Sequence, residues 1–288
     1  MNTAHTATAA APHSATAPRA IVHRTRGRSH GPITRLASPG DLGHHLKPFV
    51  FLDLFSTKGM IHKPNFGMHP HSGIATLTYL IEGAVSYEDS TGEQGILPEG
   101  SVEWMQAGNG VWHTGAAAGD APMLGFQLWV ALPPALENAA PHSMYIEPAR
   151  IAQHGPARVL LGSYGGVHSP IQAPSDMTYV AVRLRDGEHF RYDTPPGHNV
   201  AWLALNAGQL DGGVQAAAGE LVVFEESEQA LDMVARGETS FVIGSAVKHP
   251  HELVMGNYSV HTSRAALVKG EAEIERIGAR LQAEGRLR

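Results

Sequence analysis

Asn65-Phe66-Gly67-Met68-His69-Pro70-His71-Ser72-Gly73, answered further along by Ala107-Gly108-Asn109-Gly110-Val111-Trp112-His113-Thr114-Gly115, is the pair of stretches on which the fold turns. His69 and His71 lie two residues apart, so in an extended segment both imidazoles leave the same face of a sheet. Between them and His113 the chain reads as a run of hairpins. Thr76 to Ile81 is a strand, Glu82-Gly83 a turn and Ala84 to Asp89 a second strand; Pro98-Glu99-Gly100 then turns the chain into Ser101 to Ala107. A chain that goes out and back in this way can return His113 to the side of the first pair. Three neutral imidazoles converging inside a β-barrel make a metal site with open positions.

Histidine spacing alone is weak evidence. With 18 His among 288 residues, chance supplies about one His-x-His pair. The chain carries its own control in His249-Pro250-His251, which sits between Lys248 and Glu252 with no strand pattern or returning histidine and reads as an exposed loop. The first copy differs by its flanking glycines, its hairpin, its Pro-x-Gly turn and its third histidine.

The remainder of the chain bounds the answer. Lys plus Arg number 21 against 27 Asp plus Glu, a net charge of −6 without a basic block. That excludes an electrostatic binder of nucleic acid or of a membrane surface. There is no cysteine, which removes disulfides, thiolate ligands and a cysteine nucleophile. Residues 1–18 are mostly Ala, Thr, Pro, Ser and His, lack the basic start and apolar core of a secretory signal, and read as a disordered tail. No apolar run approaches the 18 or so residues of a membrane span. A cytoplasmic location is the default expectation.

Ala20 to Arg26 reads as a strand, Gly27 to Leu46 as a long connection, and Lys58 to Phe66 as a loop at the rim of a pocket. Asp53, inside the apolar run Phe49 to Phe55, is expected to anchor its own loop rather than accept from an imidazole. From Ile74 to Leu132 short strands alternate with Gly and Pro turns, the pattern of an all-β sandwich or barrel. Trp104, Met105, Trp112, Phe126, Leu128 and Trp129 are candidates for core or pocket lining. Glu103, ten residues before His113, is the nearest spare carboxylate in sequence, and nothing around it gives a reason for it to face inward.

Pro133 to Pro141 reads as a linker. Strands then resume at Arg158 to Gly162, Met177 to Leu184, His189 to Tyr192, Val200 to Leu205, Glu220 to Phe224, Leu231 to Ala235 and Phe241 to Ile243. From Lys269 to Glu284 the apolar period changes to three and four, at Ile274, Ile277 and Leu281, which indicates an amphipathic helix packed on a barrel or a partner.

These motifs resemble the pirin family of bicupins. The likeness rests on His69-Pro70-His71-Ser72-Gly73, on Thr76 to Gly83, on Glu88 to Gly92, on Trp104-Met105, on Ala107 to Gly110 with His113 beyond, and on Gly125 to Val130. It implies an all-β fold of two tandem cupin barrels with a C-terminal α-helix. The expected divisions are 19–135 for the N-terminal barrel with the metal site, 136–250 for a C-terminal barrel lacking ligands, and 251–288 for an extension bearing the helix. Matching turn to turn, the second-half positions corresponding to His69, His71 and His113 are Thr194, Pro196 and Asp232.

The resemblance also implies a site and an activity. Pirins typically hold their metal with three His and a Glu two residues after the third His; that position is Gly115 here. The other customary cupin carboxylate, four residues after the second His, is Ala75. What remains is His69, His71 and His113, a three-His set for a divalent metal, with Fe(II) expected and Ni, Mn, Cu or Zn as alternatives. The implied function is quercetin 2,3-dioxygenase-like oxidation of a flavonol or enolised small molecule by O2. The rival expectation is a non-catalytic binding protein that modulates a transcription factor or metabolic enzyme.

Overall fold

A computed structural model describes residues 18–60 and 65–287. The tail expected over 1–18 lies outside the described residues apart from Pro18, and so does part of the loop expected over 58–66.

Two antiparallel β-structures stand back to back. In the first, a seven-stranded sheet runs in the order His142–Ile146, Val102–Gln106, Ile74–Glu82, Leu124–Ala131, Phe49–Ser56, Ile33–Ala37, Arg28–His30. A four-stranded sheet, Asn65–His71, Val111–Ala117, Val85–Asp89 and Gln94–Leu97, completes this barrel. The second barrel is a nine-stranded sheet centred on Val200–Asp211 and Leu231–Ala246. The expected strands at 231–235 and 241–243 are one 16-residue strand. It turns a barrel corner at the exposed Arg236-Gly237-Glu238, where Gly237 has φ +69. Its first part pairs with His189–Tyr192 and its second with Met177–Leu184.

The period-2 alternation of strands decides where the core sits. Leu77, Tyr79, Trp104, Phe126 and Leu128 leave the seven-stranded sheet on one face and pack with Leu160, Tyr179, Trp202 and Val242 of the second barrel. The main core therefore lies between the barrels. The interior of the second is filled by its own cluster, which includes Phe190, Tyr192, Leu203 and Phe241. Of the six candidate aromatic and apolar residues, Trp104, Phe126 and Leu128 are inter-barrel core, and Met105 belongs to a small cluster with Ala107 and Val111.

The halves exchange strands. Ile21–Thr25, expected to open the first barrel, pairs with Leu221–Phe224 of the second, and His142–Ile146 pairs with Val102–Gln106 of the first. The stretch expected to be a linker, Pro133 to Pro141, holds a buried carboxylate. Glu137 accepts hydrogen bonds from the Thr262 backbone N–H (2.6 Å) and hydroxyl (2.7 Å). These bonds tie the C-terminal segment to the first barrel.

The C-terminal helix spans Arg264–Ala283 and is capped by Ser263, whose hydroxyl accepts from Ala266 N. It buries Leu267, Ile274, Ile277 and Leu281, and Trp112 of the first barrel donates its Nε1–H to the Ile274 carbonyl at 2.7 Å. Trp112 is thus a docking residue for the helix. The second His-Pro-His copy departs from expectation. His251 is exposed, but His249 is buried because the loop folds back onto Lys47, whose Nζ donates to the His251 carbonyl at 2.7 Å. Among the described residues no helix is long and apolar enough to cross a membrane.

Candidate functional site

Strand register brings the three histidines together. Asn65–His71 and Val111–Ala117 are antiparallel neighbours, with His113 opposite His69 and Val111 opposite His71. The ring centroids lie 4.5 to 5.1 Å apart, and one nitrogen from each ring falls within 4.8 Å of the others, an arrangement that can hold a metal ion. Gly73, directly after the His-x-His pair, has φ +75; a Cβ there would collide with the Val260 carbonyl, so only glycine admits the C-terminal segment beside the site.

The hydrogen bonds assign the tautomers. His69 Nδ1 lies 2.8 Å from the Gly67 carbonyl and His71 Nδ1 lies 3.3 Å from the Tyr258 carbonyl. A carbonyl only accepts, so each Nδ1 carries its proton and each Nε2 keeps its lone pair. The Nε2 atoms of His69 and His113 stand 3.1 Å apart. Two imidazoles bound at about 2.1 Å to one ion at right angles put their nitrogens about 3 Å apart, so the donor set fits a divalent metal. Burial and the neighbouring His113 push the pKa of His69 down to about 4, and burial drives that of His71 well below the usual imidazole range. Both therefore stay neutral at pH 7.

The histidines open into a cavity of about 410 Å³. Phe51, Phe55, Met123, Trp129 and Tyr258 supply apolar wall, with Phe51 and Trp129 stacked at 4.1 Å. The seven-stranded sheet adds a polar row. In register across five strands lie Glu103, Thr78, Gln127, Asp53 and Arg35, each lining the cavity. They occupy the face opposite Trp104, Leu77, Phe126 and Leu128, because neighbours along a strand point to opposite sides. Thr78 Oγ1 is 2.8 Å from Glu103 Oε2 and 2.7 Å from the Gln127 amide. The Gln127 atom is its Oε1, an acceptor like Glu103 Oε2, so the single Thr78 proton is given to one or the other of these two oxygens.

Asp53 holds no imidazole, but it does not anchor a loop of its own either: it lies within the strand Phe49–Ser56 and receives Arg35 of the neighbouring strand through both oxygens, at 2.9 and 3.0 Å. Glu103 departs from expectation. It is buried, faces the cavity, and places Oε1 3.6 Å from His113 Nδ1, too long for a hydrogen bond and close enough for its charge to act on the ring. The signal overlooked in the sequence is a polar residue within each of several apolar strands, Asp53, Thr78, Glu103 and Gln127, which register then aligns.

The Pirin family model matches residues 32–130. A pirin-like protein of Caulobacter vibrioides is 32% identical over 211 residues, 66% of this chain and 73% of that protein. The chain belongs to the pirin family. A Pseudomonas aeruginosa relative named "Putative quercetin 2,3-dioxygenase PA3240" is 31% identical over 238 residues, 76% of this pirin and 82% of the relative. The fold is that of a quercetin 2,3-dioxygenase crystal structure from Acinetobacter baumannii, with a TM-score of 0.81 at 22% identity over 90% of this pirin and 98% of that chain. The nickel(II) complex of YhhW from Escherichia coli gives 0.64 at 19% identity over 80% and 98% of the two chains.

Against the family pattern, the two absent carboxylates differ in meaning. Gly115 lines the cavity, so the missing Glu is lost from the site itself. Ala75 is fully buried in the inter-barrel core, on the face opposite Thr78, and a carboxylate there would point away from the histidines. In the second barrel, Asp232 lies at the surface, paired with Arg191 at 2.5 Å. The three histidines are the metal-type cluster among the described residues.

Proposed function

We propose that this pirin is a metal-dependent dioxygenase of the quercetin 2,3-dioxygenase type, acting in the cytoplasm on a flavonol or enolised small molecule with O2. His69, His71 and His113 are its metal ligands, and Fe(II) is the ion in cells, with Ni, Mn, Cu or Zn as substitutes. The observation that carries this reading is the set of three clustered imidazoles, two of them fixed by carbonyls at Nδ1 so that Nε2 carries the lone pair, opening into a cavity of about 410 Å³. The names of its relatives give the reaction class.

A divalent ion bound there supplies Lewis acidity that favours the deprotonated form of a substrate hydroxyl. The side chains do the rest. Phe51, held between Trp129 at 4.1 Å and the Arg35 guanidinium at 4.2 Å, and Trp129 beside it give the cavity a rigid apolar side for an aromatic substrate, while Thr78 and Gln127 present hydrogen-bonding groups to its hydroxyls. Glu103 stands behind His113 as a charge partner that favours the Nδ1–H tautomer and aims Nε2 inward. In this role it replaces part of the negative charge lost at Gly115.

The test is elemental analysis and O2 uptake of the full chain beside His71→Ala. Near-stoichiometric metal in the parent, its loss in the variant, and quercetin-dependent O2 consumption that follows the metal are expected. The rival reading, a non-catalytic binding protein, draws on the missing carboxylates at Gly115 and Ala75. It expects equal metal content in the two proteins and no O2 uptake, and that result would displace the dioxygenase.

A further inference from the structure

The C-terminal segment crosses the mouth of the cavity as a strap. Val254–Met255 and Val260–His261 pair as a short hairpin whose turn is Gly256-Asn257-Tyr258-Ser259. The strap is pinned from several sides. Gly256 N donates to the Ser259 carbonyl, Ser259 bridges to Ser72 beside the His-x-His pair, and Val260 N donates to the Ser72 carbonyl. Further along, Ser72 Oγ lies 2.7 Å from His261 Nε2, and Glu137 holds Thr262.

Within this turn Tyr258 has φ +64, the one non-glycine residue with positive φ among the described residues. An L side chain is strained there, and a Gly or Asn would be relaxed. The chain has both, at Gly256 and Asn257, yet neither occupies the strained position. Burial of the side chain does not compensate, since Tyr258 is 46% exposed. What the conformation achieves is placement. The carbonyl accepts from His71 Nδ1, and the ring lies 6.2 Å from both His69 and His71 while lining the cavity. Strain held by surrounding bonds at a site, with no packing gain, marks a residue kept for its contact with a ligand.

We propose that Tyr258 is a specificity-determining residue whose ring grips a flat aromatic substrate at the cavity mouth, beside His69 and His71. This rests on the dioxygenase reading and adds a substrate requirement to it: a planar aromatic face that reaches the mouth while the polar edge of the molecule meets Thr78 and Gln127. A small acyclic enediol would bind without using Tyr258.

The test compares the full-length protein with Tyr258→Gly and Tyr258→Phe, reading quercetin affinity by fluorescence quenching, thermal midpoint and metal content. Tyr258→Gly keeps the carbonyl that holds His71 and releases the strain. The expected result is an unchanged or raised midpoint, unchanged metal content, and quercetin binding weakened about five- to tenfold, the size of a lost aromatic contact. Tyr258→Phe keeps the ring and is expected to bind as the parent does. Parent-like binding by Tyr258→Gly overturns this proposal and leaves the dioxygenase reading standing. A lowered midpoint or lost metal in Tyr258→Gly also overturns it, because the residue would then act through the fold or through His71. A parent protein that binds no quercetin overturns this proposal, while the dioxygenase reading is then decided by metal-dependent O2 uptake with an enolised small molecule.

Discussion

Oε1 of Glu103 stands 3.6 Å from Nδ1 of His113, while Oε2 of the same carboxylate lies 2.8 Å from the Thr78 hydroxyl. The carboxylate is thus held on one side and faces the imidazole with the other. Glu103→Gln keeps the shape and the Thr78 contact and removes the charge. The expected outcome is a loss of about 10- to 100-fold in metal affinity, the usual effect of removing an outer partner of a histidine ligand, with the fold intact. Competition titration with a chelator, beside a thermal melt, measures both.

The depressed pKa values of His69 and His71 make the metal-free protein sensitive to acid. In the unfolded chain both titrate near 6.5; in the fold burial and the neighbouring His113 lower His69 to about 4, and burial holds His71 well below the usual imidazole range. Below 6.5 the unfolded state therefore binds more protons than the native state, so stability falls as pH falls through this window. His69 alone is expected to cost about 2 kcal/mol between pH 7 and pH 5. Urea denaturation of chelator-treated protein at the two pH values reads the loss. His69→Asn is expected to flatten the dependence.

Gly270 lies in the middle of the C-terminal helix, where exchange for Ala ordinarily gains about 1 kcal/mol. Here a Cβ would run into Ser72 Oγ and come within 2.7 Å of His261 Nε2. The two groups are bonded to each other and cannot both move aside. Overpacking costs about 1–3 kcal/mol, so the clash is expected to win. Gly270→Ala should lower the denaturation midpoint despite its better helix propensity.

Glu137 joins the expected linker to the C-terminal strap. Removing it leaves the Thr262 N–H and hydroxyl without their acceptor, a cost of about 1–3 kcal/mol for each group that water cannot reach. In Glu137→Ala, hydrogen exchange is expected to speed up in Arg264–Ala283 and in the 254–261 hairpin. Protection in Val200–Asp211, deep in the second barrel, should stay as it was. Uniform acceleration would show instead that the strap and the barrels open as one unit.

Much of this protein was legible along the chain. Alternating apolar residues and turn glycines set the strands from Ile74 to Leu132, and the two-residue spacing of His69 and His71 set them on one face. The three-and-four period set the helix. These are local properties: they depend on the strand repeat, on the φ that glycine allows and on the helix repeat, all readable within a few residues.

Tertiary structure decided what depends on partners far away in sequence. Register between strands aligned Glu103 with Thr78 and Gln127 and turned the three into the cavity. Pairing sent Ile21–Thr25 to the second barrel and carried Tyr258 back to His71 across 187 residues. A one-residue slip between the strands that bear Glu103, Thr78 and Gln127 would leave every local pattern intact and break the polar row. For that reason the trio of histidines could be anticipated from spacing, whereas the groups that surround it could be found only once the strands were laid side by side.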